Sequence, residues 1–361
     1  MLFSPLSLRD ITLQNRVGVS PMCQYSSTDG FANDWHFVHL GAFAVGGAGL
    51  VFSEATAVLP EARISPQDLG IWKDEHVPML RRITDFIHAQ GAASGIQLAH
   101  AGRKASTRRP WDGSGAVLPG EGGWLDVVAP SAIPFAPEYP SPHELTLDGI
   151  TRVVDGFRDA ARRAHAAGFQ VAEIHAAHGY LLHEFLSPLA NERTDAYGGS
   201  LENRARLVLD VLDAVRDVWP AGAPVFVRIS ATDWAPGGWD VDQSVQLARW
   251  LRQHGADMID CSSGGLVPGV RIPLGPAYQA PFAARIRAEA DVATATVGLI
   301  TDPTQADELL RAGHANMVLL GRELLRNPRW PLAAAHALGA AVTWPAQYLR
   351  AQTASKPVAT R

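Results

Sequence analysis

Residues 171–200 read VAEIHAAHGYLLHEFLSPLANERTDAYGGS. The apolar run at 171–174 predicts a short strand. Beyond Ser200, residues 200–218 place Leu207, Val208, Val211, Leu212 and Val215 on one stripe of a helix. Ser200 stands where a helix takes its N-cap, because a serine oxygen can accept from a free backbone N–H of the first turn. Strand, polar loop and amphipathic helix make one β/α unit. The loop is unusual in content. His175, His178 and Tyr180 fall within six positions directly after the strand, a density of hydrogen-bonding and proton-transferring groups that a packed core would not need.

Working outward, the same unit recurs. Short apolar runs at 17–20, 50–53, 94–98, 171–174, 225–229, 258–261, 295–297 and 317–320 predict eight strands. Helical periodicity fills the intervals at about 36–46, 78–90, 149–167, 200–218, 241–255, 280–290 and 303–312. Asp302-Pro303 supplies an N-cap with proline at the first helical position. Repeated strand–helix units imply a parallel sheet with right-handed crossovers, and eight of them imply an α/β fold of the (β/α)8 TIM-barrel type. An open doubly wound sheet would carry a Gly-x-Gly-x-x-Gly turn after an early strand, and there is none. We read residues 1–361 as a single barrel domain. Residues 105–147, rich in Gly, Pro and Trp, form a long excursion after strand three over the barrel mouth, and 331–361 form a C-terminal helix and polar tail.

Composition narrows the function. The chain is 47% hydrophobic and 19% charged with a net charge of -5, which suits a globular protein and gives no basic excess for nucleic acid or an anionic membrane. No stretch approaches the roughly 20 apolar residues of a membrane span. The opening MLFSPL lacks a basic region followed by an apolar run, so no secretory leader is expected. Cys23 and Cys261 are the only cysteines, too few for a disulfide framework, a four-cysteine zinc site or an iron–sulfur cluster. A reducing cytoplasm is the expectation.

In a barrel, chemistry belongs at the carboxyl ends of the strands. Strand one is followed there by Ser20-Pro21-Met22-Cys23-Gln24-Tyr25, and strand two carries Glu54-Ala55-Thr56. Strand three ends in Gln97-Leu98-Ala99-His100-Ala101-Gly102-Arg103-Lys104, and strand five carries Arg228. Gly298 follows strand seven and Gly321-Arg322 follow strand eight, the place where barrels commonly bind a phosphate. His175-x-x-His178 could also be a metal pair, but no third ligand of a zinc motif completes it, so no metal is expected.

The run HAAHGYLLHEFLSP followed by NERTDAYGGS, with PMCQY near the start, QLAHAGRK, the Arg228 strand and LGR near the end, resembles the old yellow enzyme family of FMN-dependent ene-reductases. The likeness covers about residues 1–350. The cysteine after Pro-Met and the paired histidines resemble the bacterial class with a cysteine beside the flavin.

That resemblance implies FMN as cofactor and NADPH or NADH as hydride donor. FMN would lie on Ser20, Pro21, Met22, Cys23 and Ala55, with Gln97 at its pyrimidine edge and Arg228 near N1. Its phosphate would meet Gly298, Gly321 and Arg322. His175 and His178 would hold the oxygen of an α,β-unsaturated carbonyl or a related electron-poor alkene, with Tyr25 in the same pocket. In a ping-pong cycle, hydride would pass from flavin N5 to the β-carbon and a proton from Tyr180 to the α-carbon. Arg350 resembles an arginine that this class inserts into a neighbouring subunit's site, which implies a homodimer or homotetramer.

Some residues stay open. Lys104 is cleft-lining or a solvated charge, and His100 and His183 are structural or functional. Cys261 reads as core, while Glu192, Arg193, Asp195 and Tyr197 read as a network shaping their loop. Two other functions are compatible with the same residues: a flavin-free barrel lyase or isomerase holding a phosphorylated substrate, and a flavin-binding protein without turnover.

Overall fold

The structure is a computed structural model describing residues 1–352. Eight parallel strands close into a barrel: β1 Val17–Val19, β2 Leu50–Ala57, β3 Ala93–Ala99, β4 Val171–Ala176, β5 Val225–Ser230, β6 Met258–Ser262, β7 Ala293–Thr296 and β8 Met317–Leu320. Every neighbouring pair is parallel, with Val19 opposite Val51, Leu98 opposite Ile174 and His175 opposite Arg228. Each strand sits where its apolar run predicts it. The seventh starts and stops earlier than 295–297, because Gln279 Nε2 donates to the Val297 carbonyl at 2.8 Å and takes it into a loop.

The principal helices are α1 Asp34–Val45, α2 Val77–Ala89, α3 Leu147–Ala166, α4 Leu181–Leu186, α5 Leu201–Arg216, α6 Val241–Gln253, α7 Ala280–Ala290, α8 Pro303–Arg311, α9 Arg322–Arg326 and α10 Trp330–Ala337. The expected caps are in place. Ser200 accepts from the Asn203 N–H and Asp302 from the Gln305 N–H. The α5 stripe Leu207, Val208, Val211, Leu212 and Val215 is fully buried among the outward faces of the strands, alongside Ile174, Val227 and Cys261. The short α4 was hidden in the sequence because all six of its residues are buried, leaving no polar face to set a period.

A second apolar cluster fills the barrel itself: Leu50, Phe52, Ala93, Val171, Phe226, Met258, Ala295, Met317 and Leu319. Leu6, Leu8 and Leu13 join it from below. They belong to a hairpin of three-residue strands, Leu6–Leu8 and Ile11–Leu13, that plugs the N-terminal end. Strands that short carry too little alternation to be seen in sequence.

The excursion ends at residue 146, where Thr146 caps α3. It touches the opposite end of the barrel: Trp111 meets the Tyr25 ring at 5.7 Å, and Ser131 Oγ accepts from the Glu192 N–H at 2.9 Å. The C-terminal segment runs the other way. Thr343–Gln347 share a cavity with Gly47 and Gly91, which lie just before β2 and β3. The expected polar tail at 353–361 lies outside the described residues.

Candidate active site

The carboxyl end of β4 turns sharply. His178 and Gly179 both take left-handed backbone, with φ of 60° and 72°, and a Cβ on Gly179 would come within 2.2 Å of the Gly265 carbonyl oxygen. Only glycine tolerates that approach. Three loops are tied together at this turn. The His178 N–H donates to Ser230 Oγ at 2.9 Å, and Lys104 Nζ donates to the His178 carbonyl at 2.8 Å and to the Gly265 carbonyl. Beneath it, His183 Nδ1 accepts from the Gly179 N–H, and its Nε2 lies 2.9 Å from Asp233 Oδ1.

This turn brings His175, His178 and Tyr180 together. The His175 ring centroid is 5.2 Å from that of His178 and 5.0 Å from that of Tyr180. Burial, helped by the Arg228 charge, holds both imidazoles well below their ordinary pKa, so each is neutral with one N–H to give. Burial holds the Tyr180 phenol well above its usual value, so it keeps its proton. His178 Nε2 lies 2.7 Å from Ser262 Oγ, which is also 3.3 Å from Gln279 Oε1. A serine hydroxyl that donates to Gln279 accepts from His178 Nε2, and one that donates to His178 leaves the imidazole proton on Nδ1.

Around these groups stand the ends of the other strands. Cys23 is held in its thiol form by burial and by the charges of Asp68 and Glu54, and Tyr25 takes φ of 50° beside it. Ala55 is buried in β2. Gln97 Nε2 donates to Glu173 Oε1 at 2.8 Å. Arg228, 5% exposed, has its Nε 3.0 Å from Asp260 Oδ2. A cavity of about 250 Å3 opens among Arg228, Tyr278, Gln279, Gly298, Gly321 and Arg322. Gly298 has φ of 126°, and a Cβ there would crowd Tyr278 and Gln279 at 2.9 and 3.0 Å. Met22 and Ser20 lie beside Gly321, and Pro21 is half-buried between them.

Comparison with known proteins decides the family. The family model described as NADH:flavin oxidoreductase / NADH oxidase matches residues 1–340. An NADPH dehydrogenase of Geobacillus thermodenitrificans strain NG80-2 is 50% identical over 352 residues, covering 97% of this chain and 98% of that one. The chain belongs to the old yellow enzyme family. Among solved structures, morphinone reductase is 30% identical with a TM-score of 0.79, over 95% of this chain and 91% of that one. The old yellow enzyme homologue of Zymomonas mobilis is 28% identical with a TM-score of 0.78, over 99% and 97%. This member of the old yellow enzyme family is therefore an FMN-dependent NADH/NADPH oxidoreductase.

For this old yellow enzyme the expectation for Arg350 is a place in a neighbouring subunit's site, not in its own. Arg350 lies on the exposed turn Ala346–Ala351, on the segment that leads to the N-terminal end of the barrel. The open cases also resolve. Lys104 is drawn in over the cleft, with Nζ 5.5 Å from the Tyr180 ring centroid, and burial lowers its pKa to about 7. His100 is buried in its loop, where its Nδ1 accepts from the Gly102 N–H and burial lowers it to about 3. Cys261 is core. Arg193 pairs with Asp195 and donates to the Leu145 and Pro130 carbonyls, while Tyr197 donates to Asp210.

Sequence reading missed what β6 delivers: Asp260, Ser262 and Ser263, with Tyr278 and Gln279 from the loop beyond. The signal was available in the rule that every barrel strand ends at the site. Ser262-Ser263-Gly264-Gly265 is a small polar run in that position.

Proposed function

We propose that this oxidoreductase reduces the C=C bond of α,β-unsaturated carbonyl compounds and related electron-poor alkenes, in a ping-pong cycle with NADPH or NADH. The observation that carries the reading is the convergence of two neutral imidazoles and one protonated phenol, with ring centroids about 5 Å apart, at the carboxyl end of β4. Two neighbouring imidazoles, each with an N–H to give, suit a carbonyl oxygen on which negative charge grows. A donor of this kind typically contributes about 2.7–4 kcal/mol to the transition state. Tyr180, kept protonated, would deliver the proton to the α-carbon. Tyr25 would line the same pocket, and the Cys23 thiol, not ionised, is suited to being a neighbour of the flavin and not a nucleophile.

The residues present fit FMN. An anionic phosphate would meet Arg322 and the backbone at Gly298 and Gly321, where the absence of side chains leaves the amides open. Gln97 would hold the pyrimidine edge, Arg228 the N1–C2 locus, and Ser20, Pro21, Met22, Cys23 and Ala55 the ring system. FMN held there would supply hydride chemistry, taking hydride from the nicotinamide and passing it to the β-carbon. Arg350, at the far end of its own barrel, would complete the pocket of a neighbouring copy in a homodimer or homotetramer.

The test is anaerobic and takes each half-reaction separately. NADPH or NADH should bleach the flavin, and 2-cyclohexenone should restore it. Flavin that bleaches but that no enone or nitroalkene restores would refute the substrate class. His175→Ala with His178→Ala should abolish binding of phenolic ligands while FMN stays bound. Tyr180→Phe should slow re-oxidation more than reduction, and equal slowing would contradict its role as proton donor.

A further inference from the structure

Between the apolar filling of the barrel and the two histidines lies a layer of four polar side chains from four consecutive strands: Gln97 of β3, Glu173 of β4, Arg228 of β5 and Asp260 of β6. Strand register sets them side by side, Gln97 opposite Glu173 and Arg228 opposite Asp260. None is more than 5% exposed. Barrels ordinarily fill such a layer with branched apolar residues. Burying ions there costs several kcal/mol each, so the layer is not explained by stability. Nor is it hydrogen-bonded to completion: Glu173 Oε2 and both carboxylate oxygens of Asp260 are buried without hydrogen-bond partners among the described residues.

Among the described residues two contacts do form, a hydrogen bond from Gln97 to Glu173 and an ion pair between Arg228 and Asp260. Gln97 spends an amide N–H on Glu173 Oε1, which sets which way the amide faces. Arg228 sets Nε against Asp260 and also lines the cavity.

We infer that Glu173 and Asp260 are positioning residues for the flavin's partners: Glu173 fixes the orientation of the Gln97 amide, and Asp260 aims Arg228 at the cavity and tempers its charge. One guanidinium can balance one carboxylate. Burial raises both carboxyls and Arg228 lowers both, but the Asp260 charge raises Glu173 further, so of the two Glu173 is the one that keeps a proton. The inference rests on the placing of Arg228 and Gln97 against FMN given above.

The experiment uses FMN-loaded protein and measures the midpoint potential at neutral pH against a reference dye, with FMN affinity measured by titrating apoprotein. Asp260→Asn keeps the size of the side chain and removes the counter-charge, so Arg228 acts unopposed on the reduced flavin. The potential should rise by at least a tenfold change in the reduction equilibrium constant, about 30 mV for a two-electron couple. Glu173→Gln, already neutral in the native protein, should leave the potential in place. Glu173→Leu removes the acceptor that orients Gln97 and should weaken FMN binding about tenfold.

Arg228→Gln should lower the potential. If it does while Asp260→Asn leaves the potential unmoved, the role of Asp260 is overturned. If neither moves it, the placing of Arg228 at the flavin falls and the inference with it. Should Asp260→Asn fail to fold, the Glu173 pair still decides: equal FMN affinity in Glu173→Leu and wild type, or a raised potential in Glu173→Gln, overturns the role of Glu173.

Discussion

The lower and upper halves of the barrel interior are built by the same strands, one inward position apart. On β4 the inward side chains run Val171, Glu173, His175; on β5, Phe226, Arg228, Ser230; on β6, Met258, Asp260, Ser262. Each strand thus passes from an apolar side chain through an ion or acid to a hydrogen-bonding group. The lower layer is continuous with the apolar cluster and with the hairpin plug beneath it. The upper layers hold buried polar atoms without partners, among them His175 Nδ1 and Glu173 Oε2. The difference shows how a barrel divides its labour along one axis. Burial of apolar area below supplies the stability that the upper layers consume in keeping charges and unpaired groups out of water.

That contrast can be broken from either side. Phe52 is 1% exposed and meets the Phe226 ring edge-to-face at 5.9 Å. Phe52→Ala should cost about 3–5 kcal/mol in urea unfolding, with the re-oxidation rate per FMN-loaded molecule unchanged at low temperature. A slowed rate at full occupancy would mean that the two layers are not separable. Lys104→Met deprives the His178 and Gly265 carbonyls of their shared donor and should cost about 1–3 kcal/mol. Its larger signature is functional. Phenol affinity should fall severalfold with FMN still bound, because the turn that carries His178 loses its fastening.

The smallest effect is in pH dependence. Burial raises Glu173 from an ordinary 4.5 to about 8, facing Asp260, Arg228 and Gln97. A carboxyl whose pKa rises on folding binds its proton more tightly in the native state. Its contribution is complete below the ordinary value and is lost as pH climbs through the raised one. This contribution to apoprotein stability should therefore decline with rising pH across that window, by at most about 1.4 kcal/mol per pH unit for one proton, while His175, His178 and His100, held neutral by burial, act in the opposite sense below their ordinary value. Buried Glu184, raised to about 8, and Asp68, raised to about 7, add to the decline. Glu173→Gln should remove the Glu173 share of the pH dependence, so that the stability difference between wild type and variant shrinks with rising pH in denaturant unfolding followed between pH 4.5 and 8. An unchanged slope would place the proton elsewhere in the layer.

Much of the architecture was legible because its signals are local. Strand runs bounded by turns, the α5 stripe and the caps at Ser200 and Asp302 all lie within a few residues of the features they explain. His175, His178 and Tyr180 were legible for the same reason: one turn holds all three. The hairpin plug was not, since its strands are three residues long. Nor was the polar layer, because Gln97 and Glu173 are 76 positions apart in the chain and look, each alone, like an amide and an acid in an apolar strand. Lys104 gave an ambiguous signal for a related reason. Whether a lysine is solvated or buried depends on which carbonyls approach it, and those come from the loops after β4 and β6.

By itself, the sequence determined the barrel, the order of its units and the residue types at the ends of its strands, because periodicity and capping are short-range properties of a chain. Only the tertiary structure decided which buried acid stands beside which buried base, that Ser262 can set the proton of His178, and that Arg350 lies away from its own site. Those outcomes depend on strand register and loop packing, where distance in space has no fixed relation to distance in sequence.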